Sequence, residues 1–293
     1  MGYNIVVCAK QVPDTKRITG EAMKEDGTVN RAALPAIYNP EDLNALETAL
    51  QIRDAHGGTV TVLTMGPPNA CVILRDSMFR GADRGVLVTD RRAAASDTLA
   101  TSYILSQAVR KLNPDIALCG RQAIDGDTAQ VGPQMAEKLD MTLVTYLEEL
   151  IDLKDREITV RRNVGNGWEE VTAQLPVLAT VMETANHPRP HAAKRIMKYK
   201  KARSKLEMEK ELPEGADIDA EAETLAAKGL LIDQWTLDDI DADLEWCGMS
   251  GSPTKVKRIQ SIVLAGGEYH EFDPTEDGCE KLVHELISDH TIG

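Results

Sequence analysis

The stretch DIALCGRQAIDGDTAQVGPQMAEKL, residues 115–139, decides the fold. It opens on a short apolar run, Asp115 to Cys119, of the length of a buried strand, and it closes on an amphipathic pattern, Thr128 to Leu139, of the period of a helix. Two glycines, two aspartates and a threonine crowd the junction. A backbone so bare and so polar has two explanations. One is an anion-bearing ligand seated on free N–H groups at a helix start; the other is a tight strand-to-helix turn with Asp127 or Thr128 as its N-cap.

Working outward, the same strand-then-helix unit recurs through the first half of the chain. Apolar runs at Asn4 to Ala9, Thr59 to Met65, Gly85 to Thr89 and around Leu143 to Leu147 read as further strands. Helical patterns begin at Glu41 after Asn39-Pro40 and cover Ala70 to Phe79 and Asp97 to Leu112. Strands that are apolar throughout and alternate with helices predict a parallel sheet covered on both faces, a doubly wound, mostly parallel, Rossmann-like α/β fold. After residue 150 the pattern changes. REITVRR and WEEVTAQLP read as paired strands around the Gly165-Asn166-Gly167 turn, and VLATV adds one buried strand. A proline-punctuated segment, NHPRPHAAKRIMKYKKARSK (186–205), leads into a basic helix. The expected division is a domain over 1–205 and an acidic C-terminal arm over 206–293, with a Gly/Ser/Pro loop at 246–258 and a final helix from 276.

Composition narrows the functional classes. The chain has 293 residues, 42% hydrophobic and 27% charged, enough for a proper core, and a formal net charge of -14 that argues against nucleic acid as a partner. No apolar run reaches the length of a membrane span, and MGYNIVVCAK lacks the charged n-region of a signal peptide, so no transmembrane segment and a cytoplasmic location are expected. The five cysteines are scattered with no CxxC pair, which points to reduced thiols and away from a zinc or iron-sulfur site.

In a doubly wound sheet, ligands sit beyond the carboxyl ends of the strands. Three of those ends carry unusual loops: CAKQVPD (8–14), TMGPPNA (64–70) and the 119–133 loop. Gly120, Gly126 and Gly132 are expected to let main chain approach a ligand, with the Asp127-Thr128 helix start facing a phosphate. SDTLATS, with Ser96, Asp97, Thr98 and Thr101 around another helix start, is a second candidate phosphate site; a plain N-cap at Ser96 is the alternative. His187 and His191 have helical spacing for metal ligands, but Pro188 and Pro190 disfavour a regular helix there, and no metal site is expected.

Taken together, VCAKQVPD, NPEDLNALETAL, LTMGPPNACVILRDSMFRGADRGVLVTD, CGRQAIDGDTAQVGP, RRNVGNGWEEVTAQLPVLATV, NHPRPHAAKRIMKYKKA and GSPTKV resemble the beta subunit of electron-transfer flavoprotein over nearly the whole chain. The resemblance implies an adenine nucleotide alpha-hydrolase-like fold and a heterodimer with an alpha subunit that holds FAD. It implies an electron carrier with no catalytic acid or nucleophile of its own. In one branch of the family the beta subunit holds AMP as a structural group. In the electron-bifurcating and nitrogen-fixation-linked branch it holds a second FAD that reacts with NADH, and DGDTAQVGP with SDTLATS resembles that branch, so FAD is favoured over AMP. The implied nucleotide contacts are Ala9, Asn39, Met65, Gly66, Gly120, Arg121, Gln122, Asp125, Gly126, Asp127, Thr128, Gln130, Val131 and Gly132. Ser96, Asp97, Thr98 and Thr101 fall on the diphosphate side, and Arg121 is a positive group near a flavin ring or phosphate, with a solvent-facing arginine as the alternative. NHPRPHAAKRIMKYKK matches the family's docking loop for a dehydrogenase, implying roles for Pro188, Arg189, Ala193, Ile196, Met197 and Lys198. It departs from that pattern in carrying Ala193 where an anchoring leucine is usual. The acidic arm is expected to wrap the alpha subunit. An ATP-cleaving enzyme of similar fold is disfavoured, because AKQVPD rather than a Ser-Gly-Gly phosphate loop follows the first strand.

Overall fold

The computed structural model describes residues 2–14, 35–213, 215–254 and 270–288. The chain begins with β1 (Tyr3–Cys8), β2 (Gln11–Pro13), β3 (Ala36–Tyr38), α1 (Pro40–His56), β4 (Gly58–Met65), α2 (Cys71–Arg80), β5 (Arg84–Val88), α3 (Thr98–Leu112), β6 (Ile116–Gly120) and α4 (Val131–Leu139). It continues with β7 (Thr142–Lys154), β8 (Glu157–Asn163), β9 (Trp168–Gln174), β10 (Val177–Val181), α5 (Ala193–Tyr199), α6 (Lys205–Glu211), α7 (Ile218–Ala227), β11 (Asp233–Trp235) and α8 (Glu276–Ser288).

Among the described residues nine strands form one sheet in the order β11-β5-β4-β1-β6-β10-β7-β8-β9. It is parallel from β11 to β7 and antiparallel across β8 and β9. Alternation along each strand feeds two cores. On β1, Ile5 and Val7 pack with α1 and α2 on one face, while Val6 and Cys8 pack with α3 and α4 on the other. Each fully buried Leu or Ile contributes about 1.5–3 kcal/mol, so these two faces are the main favourable term. The order in which strands are added reverses at β1, which has β4 on one side and β6 on the other. That is the topological switch point, and a crevice opens there at the strands' carboxyl ends.

The doubly wound sheet expected from the sequence is therefore present, with three differences. Helix α4 starts at Val131 rather than Thr128, because Asp127 (φ 48°) and Ala129 (φ 52°) sit in the left-handed region and interrupt a helix. β7 runs to Lys154, well past Leu147, and turns into β8 through Asp155 and Arg156, both left-handed (φ 51° and 64°) as a two-residue hairpin requires; no Asn-Gly marks it. The short pair β2 and β3 has no sequence signature. Residues beyond 205 also pack on this sheet. Ile232, Leu237, Ile240 and Cys247 are buried, and β11 pairs with β5 as the edge of the main sheet. Beyond that, α8 leaves Leu282, Val283 and Ile287 exposed. The expected 246–258 loop is described to Thr254, and its last four residues lie outside the described residues. Among the described residues no helix is long and apolar enough to cross a membrane.

Candidate functional site

A cleft of about 460 Å³ opens at the switch point, within the ~300–1,000 Å³ usual for small-molecule sites. Its lining comes from the ends of β1 and β6, from the loop ahead of α3, and from the loop between β6 and α4. Of the residues singled out in the sequence, Ala9, Met65, Ser96, Asp97, Thr98, Thr101, Gly120, Arg121, Gln122, Gly126, Asp127, Thr128, Gln130, Val131 and Gly132 all line it. Asn39, Gly66 and Asp125 do not. Asn39 instead holds the loop from behind: its Nδ2 donates to the Gln122 carbonyl (2.9 Å), and its Oδ1 accepts from Ile124 N–H (3.2 Å). Gly66 donates its N–H to the Val88 carbonyl at 3.0 Å. Asp125 is paired with the Lys10 ammonium at 2.7 Å.

The N-terminus of α1 is the scaffold for the β6–α4 loop. Glu41 accepts from Gln122 N–H (2.8 Å) and pairs with Arg121 (3.0 Å). Arg121 is thus an ion-paired residue of the cleft wall and not a free solvent-facing cation. Asp42 is 6% exposed and accepts from Gly120 N–H and Lys10 N–H, both at 2.8 Å, joining the ends of β6 and β1. Gly120 and Gly132 prove to be glycines for this packing. A Cβ on Gly120 would lie 2.6 Å from Asp42 Oδ1, and one on Gly132 2.7 Å from Thr180 Cγ2; one on Gly126 would meet nothing within 4 Å. Of the three, only Gly126 has open space where a Cβ would sit.

Two helix starts face the cleft, and they are not equivalent. At α3, Asp97 caps its own helix through Ala100 N–H (3.0 Å) and also accepts from Thr254 N–H (3.0 Å). Burial pushes its pKa up, but these N–H groups outweigh that and hold it below the usual carboxylate range. The 248–254 loop braces this segment further. Asp97 N–H donates to Ser252 Oγ (2.9 Å), and Gly248 N–H donates to Ser96 Oγ (3.1 Å). At α4, among the described residues, no side chain caps the helix. The N–H groups of Val131 and Gly132 precede its first intrahelical bond, from Gln134 N–H to the Gln130 carbonyl, and Pro133 has no N–H to offer. The two starts are linked by Thr98 Oγ1 donating to Gln130 Oε1 at 2.9 Å.

Sequence reasoning missed Cys8, Lys10, Asp42, Ala93, Ala95, Leu105, Cys119, Ala123, Ala129 and Met135 in the lining. Leu105 and Met135 had a signal: each lies four residues, one helical turn, beyond a cleft residue, Thr101 and Val131. Asp42 had none, because an acidic residue in a helix's first turn is ordinarily solvated.

Burial of Asp42 raises its pKa from 3.8 to about 7 against the lowering effect of its backbone donors. The folded chain then holds a proton that the unfolded chain has released between those two values, so stability falls as pH rises through that window. Urea midpoints measured from pH 4 to 8 are expected to drop by a few kcal/mol equivalents in the wild type and to stay flat in Asp42→Asn. Equal slopes in both proteins count against this assignment.

The segment expected to recognise a redox partner lies against α1 and α2. Pro188 is half-buried there. Arg189 pairs with Glu47 and Asp54 (each 2.8 Å), and His191 Nε2 meets Asp76 at 2.6 Å. In α5, Ile196 is half-buried, Ala193 and Lys198 are exposed, and Met197 is 63% exposed.

Comparison with known proteins agrees with this architecture. Residues 26–210 match the electron transfer flavoprotein domain. The chain is 40% identical to the electron transfer flavoprotein subunit beta of Clostridium acetobutylicum, covering 99% of this chain and 100% of that protein. It is 40% identical to Protein FixA of Sinorhizobium fredii (97% and 92% covered). It is also 38% identical to the caffeyl-CoA reductase-Etf complex subunit CarD of Acetobacterium woodii (98% and 99% covered).

Proposed function

The chain belongs to the electron transfer flavoprotein family, among its beta subunits, and from that premise we propose that its cleft holds the adenine-nucleotide portion of FAD. In this reading the subunit passes electrons between NADH or a dehydrogenase and the FAD of an alpha subunit. The observation that carries it is the uncapped start of α4, open to the cleft beside an apolar floor of Ala9, Met65, Leu105 and Met135. Val131 and Gly132 N–H groups meet a phosphate oxygen, and the positive end of the helix dipole offsets its charge. Thr98, Thr101 and Gln130 supply hydroxyl and amide partners for the rest of a diphosphate. A bound flavin supplies the electron-carrying chemistry. The chain's residues would bind it and orient it. Met197, exposed among Lys194 and Lys198, supports docking of an acidic redox partner on α5, and the exposed apolar residues of α8 support an arm laid on the alpha subunit.

A second reading, AMP alone with redox work left to the alpha subunit, draws support from Asp97. Its carboxylate already occupies the first turn of α3, where a second phosphate would sit. Cofactor content of the co-purified heterodimer separates the two. Two FAD per heterodimer supports the first reading, one FAD and one AMP selects the second, and no adenine nucleotide beyond the alpha-subunit FAD rejects both.

A further inference from the structure

Among the described residues, Asp42 is the one carboxyl in the cleft lining that combines near-complete burial with the lack of a cationic partner. Its oxygens are held by two backbone N–H groups, from Lys10 and Gly120, at the ends of the two strands that flank the switch point. The nearest cations are engaged elsewhere: the Lys10 ammonium on Asp125, the Arg121 guanidinium on Glu41. The groups around it offer no compensation. From α1 comes Glu41, a second carboxylate; from β1, Cys8; from β6, Cys119; from β3, Tyr38. Burial raises the pKa of both thiols and of the phenol, so all three stay neutral in the working pH range. Asn39 adds a neutral amide. An anion seated at the α4 start therefore brings its charge into the same cleft as a buried carboxylate that no described cation pairs. Two like charges at such a site do not both persist, and the cheaper outcome is uptake of a proton.

We propose that Asp42 is the proton-binding residue of the cleft, taking one proton from solvent when an anionic nucleotide binds and returning it when the nucleotide leaves. This rests on the nucleotide reading above. The raised pKa of Asp42, about 7, puts the exchange within the physiological range. Sign follows from linkage. Below about pH 7 the free protein already carries the proton and affinity is flat. Above it, binding must recruit the proton, so affinity falls with rising pH by up to about tenfold per unit.

The test uses the complex of the full chain with its alpha subunit, stripped of nucleotide in the cleft and titrated with AMP by calorimetry at pH 8 in buffers of different ionisation enthalpy. A phosphomonoester has its second pKa near ~6, so the probe is already a dianion there. Wild type is expected to take up a large fraction of one proton and to lose affinity from pH 7 to 9. Asp42→Asn is expected to take up none and to bind with pH-independent affinity. An infrared difference spectrum on wild type labelled with carbon-13 aspartate should gain a protonated-carboxyl carbonyl band on addition of AMP. Should Asp42→Asn fail to assemble, Asp42→Ser and the infrared band carry the test. Binding without proton uptake, equal uptake in the variant, or absence of the band overturns the proposal and leaves the cleft as a nucleotide site. Failure of both AMP and FAD to bind at any pH removes the nucleotide reading, and this proposal with it.

Discussion

The double variant Thr98→Leu/Asp127→Leu is expected to purify with its alpha subunit but with less than about a tenth of the wild-type nucleotide in the cleft, a loss of ~1.4 kcal/mol or more. Both positions line the cleft, Thr98 on the wall at the start of α3 and Asp127 on the wall formed by the β6–α4 loop. Thr98 Oγ1 ties the α3 start to Gln130, the residue that precedes α4, and Asp127 Oδ1 accepts from Gln122 Nε2 at 3.2 Å. Leucine at 98 removes the tie and puts apolar bulk where a phosphate oxygen is to sit. Leucine at 127 does the same in a backbone with φ 48°, which an aspartate tolerates far better than a leucine. Neither side chain belongs to the two buried cores, so the melting temperature of the complex should change little beyond the stabilisation that bound nucleotide itself provides. Nucleotide content is read by denaturing the complex and quantifying released FAD and AMP by chromatography. Stoichiometric nucleotide in the variant places the ligand somewhere other than between these two walls.

The sheet was legible in the sequence because its strands are buried on both faces. A run such as Ile5–Val7 has to be apolar at every residue to satisfy α1 and α2 on one side and α3 and α4 on the other, and that continuity is visible without coordinates. What escaped is what rests on pairing rather than on burial. β11 consists of three half-buried residues, Asp233 to Trp235, held by the neighbouring β5, and the outer half of β7 is largely exposed and defined by its ladder to β8. The cleft follows the same division. Residues that present backbone to the hollow sit in polar, glycine-bearing loops and could be read. Asn39, Glu41 and Asp42 looked like an ordinary helix start, and their work of holding residues 120–124 depends on a contact across about eighty positions of chain. Gly120 and Gly132 carry the clearest lesson, since a glycine in a turn has the same letter whether it faces a ligand or a neighbouring strand.

That difference can be measured. Gly132→Val is expected to destabilise the complex by about 3 kcal/mol, the upper end of overpacking costs, because its Cβ alone falls 2.7 Å from Thr180 Cγ2 and 2.9 Å from Cys119 Sγ. Relief by rotation of a long side chain is not open here, since both neighbours are short side chains rooted in the paired strands β10 and β6. The accommodation left is for the first turn of α4 to lift from the sheet, which moves the Val131 and Gly132 N–H groups away from the position where they meet an anion. Stability and nucleotide retention should therefore be lost together. Gly126→Ala is the control, lying in the same loop but with open space where its Cβ would go and no positive φ to strain it. Its unfolding midpoint should stay within ~0.5 kcal/mol of wild type. Any effect of Gly126→Ala should appear as weaker nucleotide binding at unchanged stability, because the only thing that its new methyl group can displace is what enters the cleft. If Gly132→Val is as stable as wild type, α4 has slack against the sheet, and the uncapped helix end is not held in place to serve an anion.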